Sequence, residues 1–373
     1  ITMMYDDVAN DTENPYRGRL YNRPWEKMQE AKDVYAGCKV DYRGKQVNPK
    51  QFLAVLSGDA SAAGGKVLRS GAQDHVFVNF VDHGAVGLIA FPESGRDQVL
   101  HAKQLVATLE RMHRGGAFAQ LVFYLETCES GSMFEGLLPD ALPVYAVTAA
   151  NAHESSWGTF CGAAARVGGV DIGTCLGDLF SVNWLADSES APHGKETLNA
   201  QFQRVKQATN KSHVMRYGQV RRFGPEHVSD FQGPAGQALG AEPTLDAALA
   251  EASAVDSRHV RLHYLRRRYE RTASEADAEL LQAELRQEEE VAGLGEALAG
   301  EELRSAPGGV SWTPARLACH ERAVEEFGAS CGWSDARLPL SKALYILCAA
   351  GAPTTSVVDR VREVCRAQQA GEI

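Results

Sequence analysis

Two side chains of this sequence combine the right chemistry with the right setting. His83 follows a β-branched and aromatic run, Val76 to Val81 (VFVNFV), through Asp82-His83-Gly84. Cys128 follows a second run, Leu121 to Leu125 (LVFYL), through Glu126-Thr127-Cys128. A thiol acts as a nucleophile when an imidazole takes its proton and backbone N–H groups face the oxyanion that forms. Gly84 leaves a backbone N–H that no side chain shields. Glu129-Ser130-Gly131-Ser132 after the cysteine can open a helix, and a helix N-terminus lowers a thiol pKa. A lone cysteine is ordinarily a small buried hydrophobe, so the weight falls on the pair.

The elements that must position this pair are legible as alternating strands and helices over residues 1–222. Pro143 to Ala149 (PVYAVTA) is a third strand-like run. Between the first two runs, residues 97–113 place Val99, Leu100, Leu105, Leu109 and Met112 near helical spacing. Strands separated by amphipathic helices imply a parallel α/β sheet. Ligands of such sheets bind beyond the carboxyl ends of the strands, where His83 and Cys128 stand. Residues 223–256, rich in Gly, Ala and Pro, read as a linker. The basic run 258–271 (RHVRLHYLRRRYER) reads as a solvated helical face. Residues 275–302 are acidic and helix-prone, and residues 312–367 read as several short helices.

The 373 residues favour two domains. With 44% apolar and 23% charged residues the chain is a folded one. A net charge of −10 argues against a general nucleic-acid partner. No stretch reaches the roughly 18 consecutive apolar residues of a membrane span, so no membrane anchor is expected. Of eight cysteines, Cys319, Cys331, Cys348 and Cys365 cluster near the end. Four such residues allow three disulfide pairings and show no CxxC metal spacing. Sequons at Asn10-Asp11-Thr12 and Asn210-Lys211-Ser212 also point to an oxidising compartment. No metal or cofactor is expected.

Several motifs together resemble the legumain family of asparaginyl endopeptidases, the vacuolar processing enzymes of plants. They are Val81-Asp82-His83-Gly84, Tyr124-Leu125-Glu126-Thr127-Cys128-Glu129-Ser130-Gly131-Ser132-Met133, Glu154-Ser155-Ser156-Trp157, Cys175-Leu176-Gly177-Asp178, Ser181-Val182-Asn183-Trp184 and Ser212-His213-Val214-Met215-Arg216-Tyr217-Gly218. The Trp157 to Cys161 segment with Cys175 looks like the plant or algal type. The resemblance implies a caspase-like parallel-sheet catalytic domain over 1–222, a linker and activation segment over 223–272, and an all-helical prodomain over 273–373. It makes Cys128 the nucleophile, His83 the base, and Gly84 with Cys128 the oxyanion donors. Glu126 and Asp178 would grip an asparagine amide, with Ser155, Ser156 and Trp157 as a wall. An aspartate substrate would be accepted only in acid, when the carboxyls share protons. It further implies disulfides Cys319–Cys348, Cys331–Cys365 and Cys161–Cys175.

The family carries further residues ahead of the segment that matches Ile1 to Asp7. They include the first sheet strand, an asparagine that orients the histidine, and the pocket arginine. The sequence is therefore expected to be a fragment with that first strand missing. Thr127 stands where the family usually has alanine. Expected partners are peptides with Asn or Asp before the scissile bond, and the chain's own prodomain as inhibitor. The expected location is a vacuole or lysosome reached by the secretory pathway. No asparagine follows Asn210, so self-cleavage is expected at Asp256 or Asp277. Two rivals share some of these residues: a truncated, non-catalytic homologue acting as an interaction protein, and a GPI-transamidase-like subunit.

Overall fold

The computed structural model describes residues 1–92, 98–190, 195–233, 246–305 and 309–373. At its centre are three parallel strands, β1 (His75–Val81), β2 (Gln120–Glu126) and β3 (Val144–Thr148). All seven residues of β2 are buried. Leu121, Phe123 and Leu125 face one apolar layer with Leu105, Leu109 and Met112; Val122 and Tyr124 face another with Phe180, Trp184 and Phe202. That two-sided burial is why the strand reads as a continuous apolar run. The fourth strand of the sheet departs from the all-parallel expectation. The strand Met215–Gly218 runs antiparallel beside β3.

A second, smaller sheet stands at the carboxyl end of the first. Its centre is β4 (Trp157–Thr159), flanked antiparallel by β5 (Gly177–Asp178) and by a later strand, Val255–Asp256. In chain order Met215–Gly218 is β6 and Val255–Asp256 is β7. The segment expected as an irregular linker thus supplies a strand. It also holds the helix Ala247–Ala252; residues 234–245 lie outside the described residues.

Helix α1 (Ala102–Arg114) buries Leu105, Val106, Leu109 and Met112. It starts later than its apolar spacing predicts, because Val99–His101 is a strand paired with Leu88–Ala90. Helices α2 (Leu179–Ser190) and α3 (Leu198–Ala208) cover the other sheet face. The basic run forms α4 (Val260–Thr272). Four helices follow: α5 (Glu275–Ser305), α6 (Pro314–Ser330), α7 (Leu340–Ala349) and α8 (Thr354–Ala370). Disulfides Cys319–Cys348 and Cys331–Cys365 tie α6 to α7 and the end of α6 to α8, as the resemblance implies. This helical region does not stand apart. Ala85, Val86, Leu88 and Ala90, just past His83, share one apolar cluster with Leu344, Phe327 and Val361. Among the described residues no helix is long and apolar enough to cross a membrane.

Candidate active site

The sheet register brings His83 and Cys128 to equivalent places. Val81 is paired with Glu126 across β1 and β2, and each reactive residue lies two positions beyond its member of that pair. The Asp82 N–H donates to the Glu126 carbonyl at 3.2 Å, which holds the two turns together. Gly84 has no room for a side chain. A Cβ there would lie 2.6 Å from Thr127 Oγ1 and 2.9 Å from the Cys128 carbonyl. Glycine is therefore required by the close approach of the histidine turn to the cysteine turn.

Cys128 is only 1% exposed. Its Sγ accepts from the Ser156 N–H at 3.3 Å and lies 3.6 Å from Ser156 Oγ. The expectation of a thiol acidified by a helix is not met. Glu129 takes a left-handed conformation with φ of 45°, and Ser130–Met133 is a single 3-10 turn rather than a helix with a working dipole. Burial instead pushes the Cys128 thiol up to about 11, and the nearby Arg258 guanidinium recovers part of that shift. In the state seen here the sulfur is a neutral thiol at physiological pH.

Three carboxyls gather beside this pair. The Glu126 side chain is 2% exposed. Its Oε2 accepts from the Ser181 N–H at 2.8 Å and from Ser181 Oγ at 2.9 Å. Its Oε1 is buried with no hydrogen-bond partner. Burial, then repulsion from Asp178, holds its carboxyl well above the usual range. Burial raises Asp178 to about 6 against the pull of His83. Burial likewise raises Asp82 to about 7, although its Oδ1 accepts from the His83 N–H at 2.6 Å. Asp178 is paired with Gly158 in the small sheet, so it lies beside the strand that Ser155 and Ser156 lead into.

The feature invisible from sequence is what lies on the site. Strand β7 pairs Val255 with Gly158 and Asp256 with Trp157. The Ser257 N–H then donates to the Ser156 carbonyl at 3.1 Å, and its Oγ lies 3.1 Å from Ser156 Oγ. Ser257 is therefore linked to the thiol through Ser156. Arg258 donates to Ser155 Oγ at 3.3 Å and ion-pairs with the buried Glu129, the residue after Cys128. The only local signal was Asp256 ahead of Ser-Arg-His, a capping pattern; its Oδ1 accepts from the Arg258 N–H at 2.9 Å.

The basic run is likewise not a free solvated face. Arg267 and Arg271 pair with Asp171, Arg268 with Glu13 and Asp277, and Arg261 with Glu284. Asp277 is 3% exposed and also bonded by Thr272 and Ser274, which leaves it a poor target for self-cleavage. Asp256 is paired with Trp157 in strand β7, one residue before Ser257.

The comparisons bear on this geometry directly. The model of the peptidase C13 family matches residues 1–234. The chain is 50% identical over 233 residues to the hemoglobinase of Schistosoma mansoni, covering 62% of this chain and 50% of that protein. It is 45% identical over 237 residues to human legumain, covering 62% and 51%. It is 39% identical over 274 residues to the vacuolar-processing enzyme delta-isozyme of Arabidopsis thaliana, covering 71% and 57%. The similarity is shared by animal and plant relatives, and the chain spans about half the length of the curated relatives it matches. With the family's match over more than half its length, and a histidine and a cysteine held at neighbouring strand ends, the chain belongs to the peptidase C13 family.

Proposed function

We propose that this chain carries a cysteine endopeptidase centre that cleaves peptide bonds after asparagine, and after aspartate in acid. The observation that carries the reading is the unpartnered Glu126 Oε1, buried beside Asp178 next to the His83 and Cys128 turns. A buried acceptor with no donor costs about 1–3 kcal/mol. The NH2 of an asparagine side chain would supply donors to both acids. A charged aspartate would be repelled, and would enter only as the carboxyls take up protons. The raised position of Asp178, about 6, puts that change in mildly acid conditions.

The chemistry follows from the pair. His83 takes the thiol proton, and Cys128 Sγ attacks the carbonyl carbon. Backbone N–H groups of Gly84 and Cys128 stabilise the oxyanion. His83 returns the proton to the leaving amine, which leaves a thioester. Water, deprotonated by His83, then releases the acid and restores the thiol.

On this reading the chain is latent until β7 leaves the site. Ser257 and Arg258 cover the nucleophile, and the helical region packs behind the His83 turn. Burial is the largest cause of the raised thiol pKa, so withdrawal of β7 would lower it by re-exposing the sulfur, less the part that Arg258 now recovers. We place the working enzyme in an acidic, oxidising compartment of the vacuole or lysosome type, where its disulfides and its pocket acids both suit the conditions. The test is peptide cleavage by acid-matured protein. Activity after Asn that disappears in Cys128→Ala supports the reading; activity that survives that change excludes it.

A further inference from the structure

The disulfide Cys161–Cys175 sits where its effect reaches the pocket. Strands β4 and β5 are joined by only two registered pairs, Thr159 with Gly177 and Gly158 with Asp178. Cys161 lies two residues beyond Thr159, and Cys175 two residues before Gly177, so the bond closes the ladder at its next step. Between them the Leu176 N–H donates to the carbonyls of Thr159 and Phe160, at 3.2 and 3.3 Å. The sulfur lies directly under the pocket wall: a Cβ on Gly158 would be 3.2 Å from Cys175 Sγ. On the far side Gly177 is pressed against Val182, whose Cγ1 would be 2.7 Å from a Cβ placed there.

Asp178 therefore has a carboxylate to hold in place on a two-residue strand. Glu126 and Asp82 repel it whenever more than one of the three is ionised. Two backbone pairs are a weak restraint against such repulsion, since isolated short strands have little stability of their own. A covalent bond one step along is a strong restraint. We propose that Cys161–Cys175 is a specificity-determining staple, which fixes Asp178 against the Trp157–Gly158 wall and so sets the grip on the substrate's amide side chain. The inference rests on the proposed reading of Glu126 and Asp178 as the pocket acids.

The test is the double variant Cys161→Ala/Cys175→Ala in the full chain, matured in acid beside the wild type. Both are assayed on an Asn-peptide, and both are alkylated with iodoacetamide, read at the Cys128 peptide by mass spectrometry. Loss of one well-placed hydrogen bond to a charged group corresponds to about tenfold or more in binding. The expected result is a KM raised about tenfold, kcat little changed, Cys128 alkylation unchanged, and faster amide exchange at Leu176–Asp178. An unchanged KM overturns the proposal, whether or not exchange quickens. A matching loss in Cys128 alkylation also overturns it, because the bond would then be supporting the whole domain. Should the variant fail to fold, graded native reduction of the wild type gives the same exchange reading, with peptide mapping of which bond has opened; protected Leu176–Asp178 amides after that bond opens overturn the proposal. A wild type with no Asn-peptide activity would instead reject the pocket reading, while the exchange measurement would still report on the staple.

Discussion

At the scale of single residues, Glu126 and Asp178, proposed as the pocket acids, carry opposite burdens for recognition and for stability. Glu126→Gln and Asp178→Asn should each lower kcat/KM for Asn-peptides by roughly 5- to 150-fold, the effect of leaving a buried amide group unpaired, about 1–3 kcal/mol. Alkylation of Cys128 should change little, since it needs only the thiol; steady-state kinetics beside iodoacetamide labelling separates the two. For stability the sign is reversed. The folded pKa of Asp178, about 6, lies above its ordinary value, so the folded chain binds more protons than the unfolded one across pH 4 to 6. Stability falls as pH rises through that window, by up to about 3 kcal/mol for this group. Asp178→Asn should therefore raise the melting temperature at pH 7 and leave it nearly unchanged at pH 4. An equal shift at both pH values would contradict the assigned cause.

Which residues gather at the candidate site was largely legible. His83, Cys128, Glu126 and Asp178 are named by their motifs, and the sheet register places the first three on adjoining strand ends. The protonation of Cys128 was not legible. It depends on how deeply the sulfur is covered, and the cover comes from residues 255–258, about 130 positions along the chain.

At the scale of elements, the strands that read correctly are those buried on both faces, where apolar side chains leave no alternative. Strand β7 did not read at all. Two residues, Val255 and Asp256, have no pattern of their own and become a strand only because Trp157 and Gly158 offer an edge. The same tertiary effect took Val99–His101 out of the helix that its spacing suggests, by pairing it with Leu88–Ala90. Arg258 looked like one more cation of a solvated run, yet it is the partner of buried Glu129. Removing one partner of a buried pair costs about 3–5 kcal/mol. Arg258→Ala should accordingly loosen β7, and Cys128 in unprocessed protein at pH 7 should be alkylated at least tenfold faster. Protection equal to the wild type would show that Ser257 and the strand pairing hold the segment without the arginine.

At the scale of the whole molecule, the helical region shares a core with residues 85–90, just past His83, and two histidines, His101 and His320, are buried near it. His320 on α6 is 1% exposed, with Nε2 3.0 Å from Ser341 Oγ, and Ser341 Oγ donates to the Val86 carbonyl at 2.8 Å. His101 precedes α1 and has an unpartnered Nδ1. Burial lowers both, His320 to about 3; His101 lowers His320 further, while Glu321 and Glu325 pull His101 upward and Lys103 pushes it down. The docked state favours neutral rings, so docking is stable above about pH 6.5 and weakens as pH falls from there towards 3. Each ring contributes at most about 1.4 kcal/mol per pH unit. His320→Gln should keep a hydrogen bond to Ser341 and move the acid midpoint of separation down, followed by Trp312 fluorescence. An unmoved midpoint would assign acid sensitivity to the carboxylates alone.

The central claim is that Cys128 is a nucleophile served by His83 and addressed through an asparagine pocket. Covalent labelling of the acid-matured protein with peptidyl haloketones tests it most directly, using matched probes that end in Asn, Gln or Lys. The account predicts a mass increase on the Cys128 peptide with the Asn probe, little with the other two, and loss of labelling in His83→Ala. Equal labelling by all three probes, or label carried by any residue other than Cys128, would contradict it.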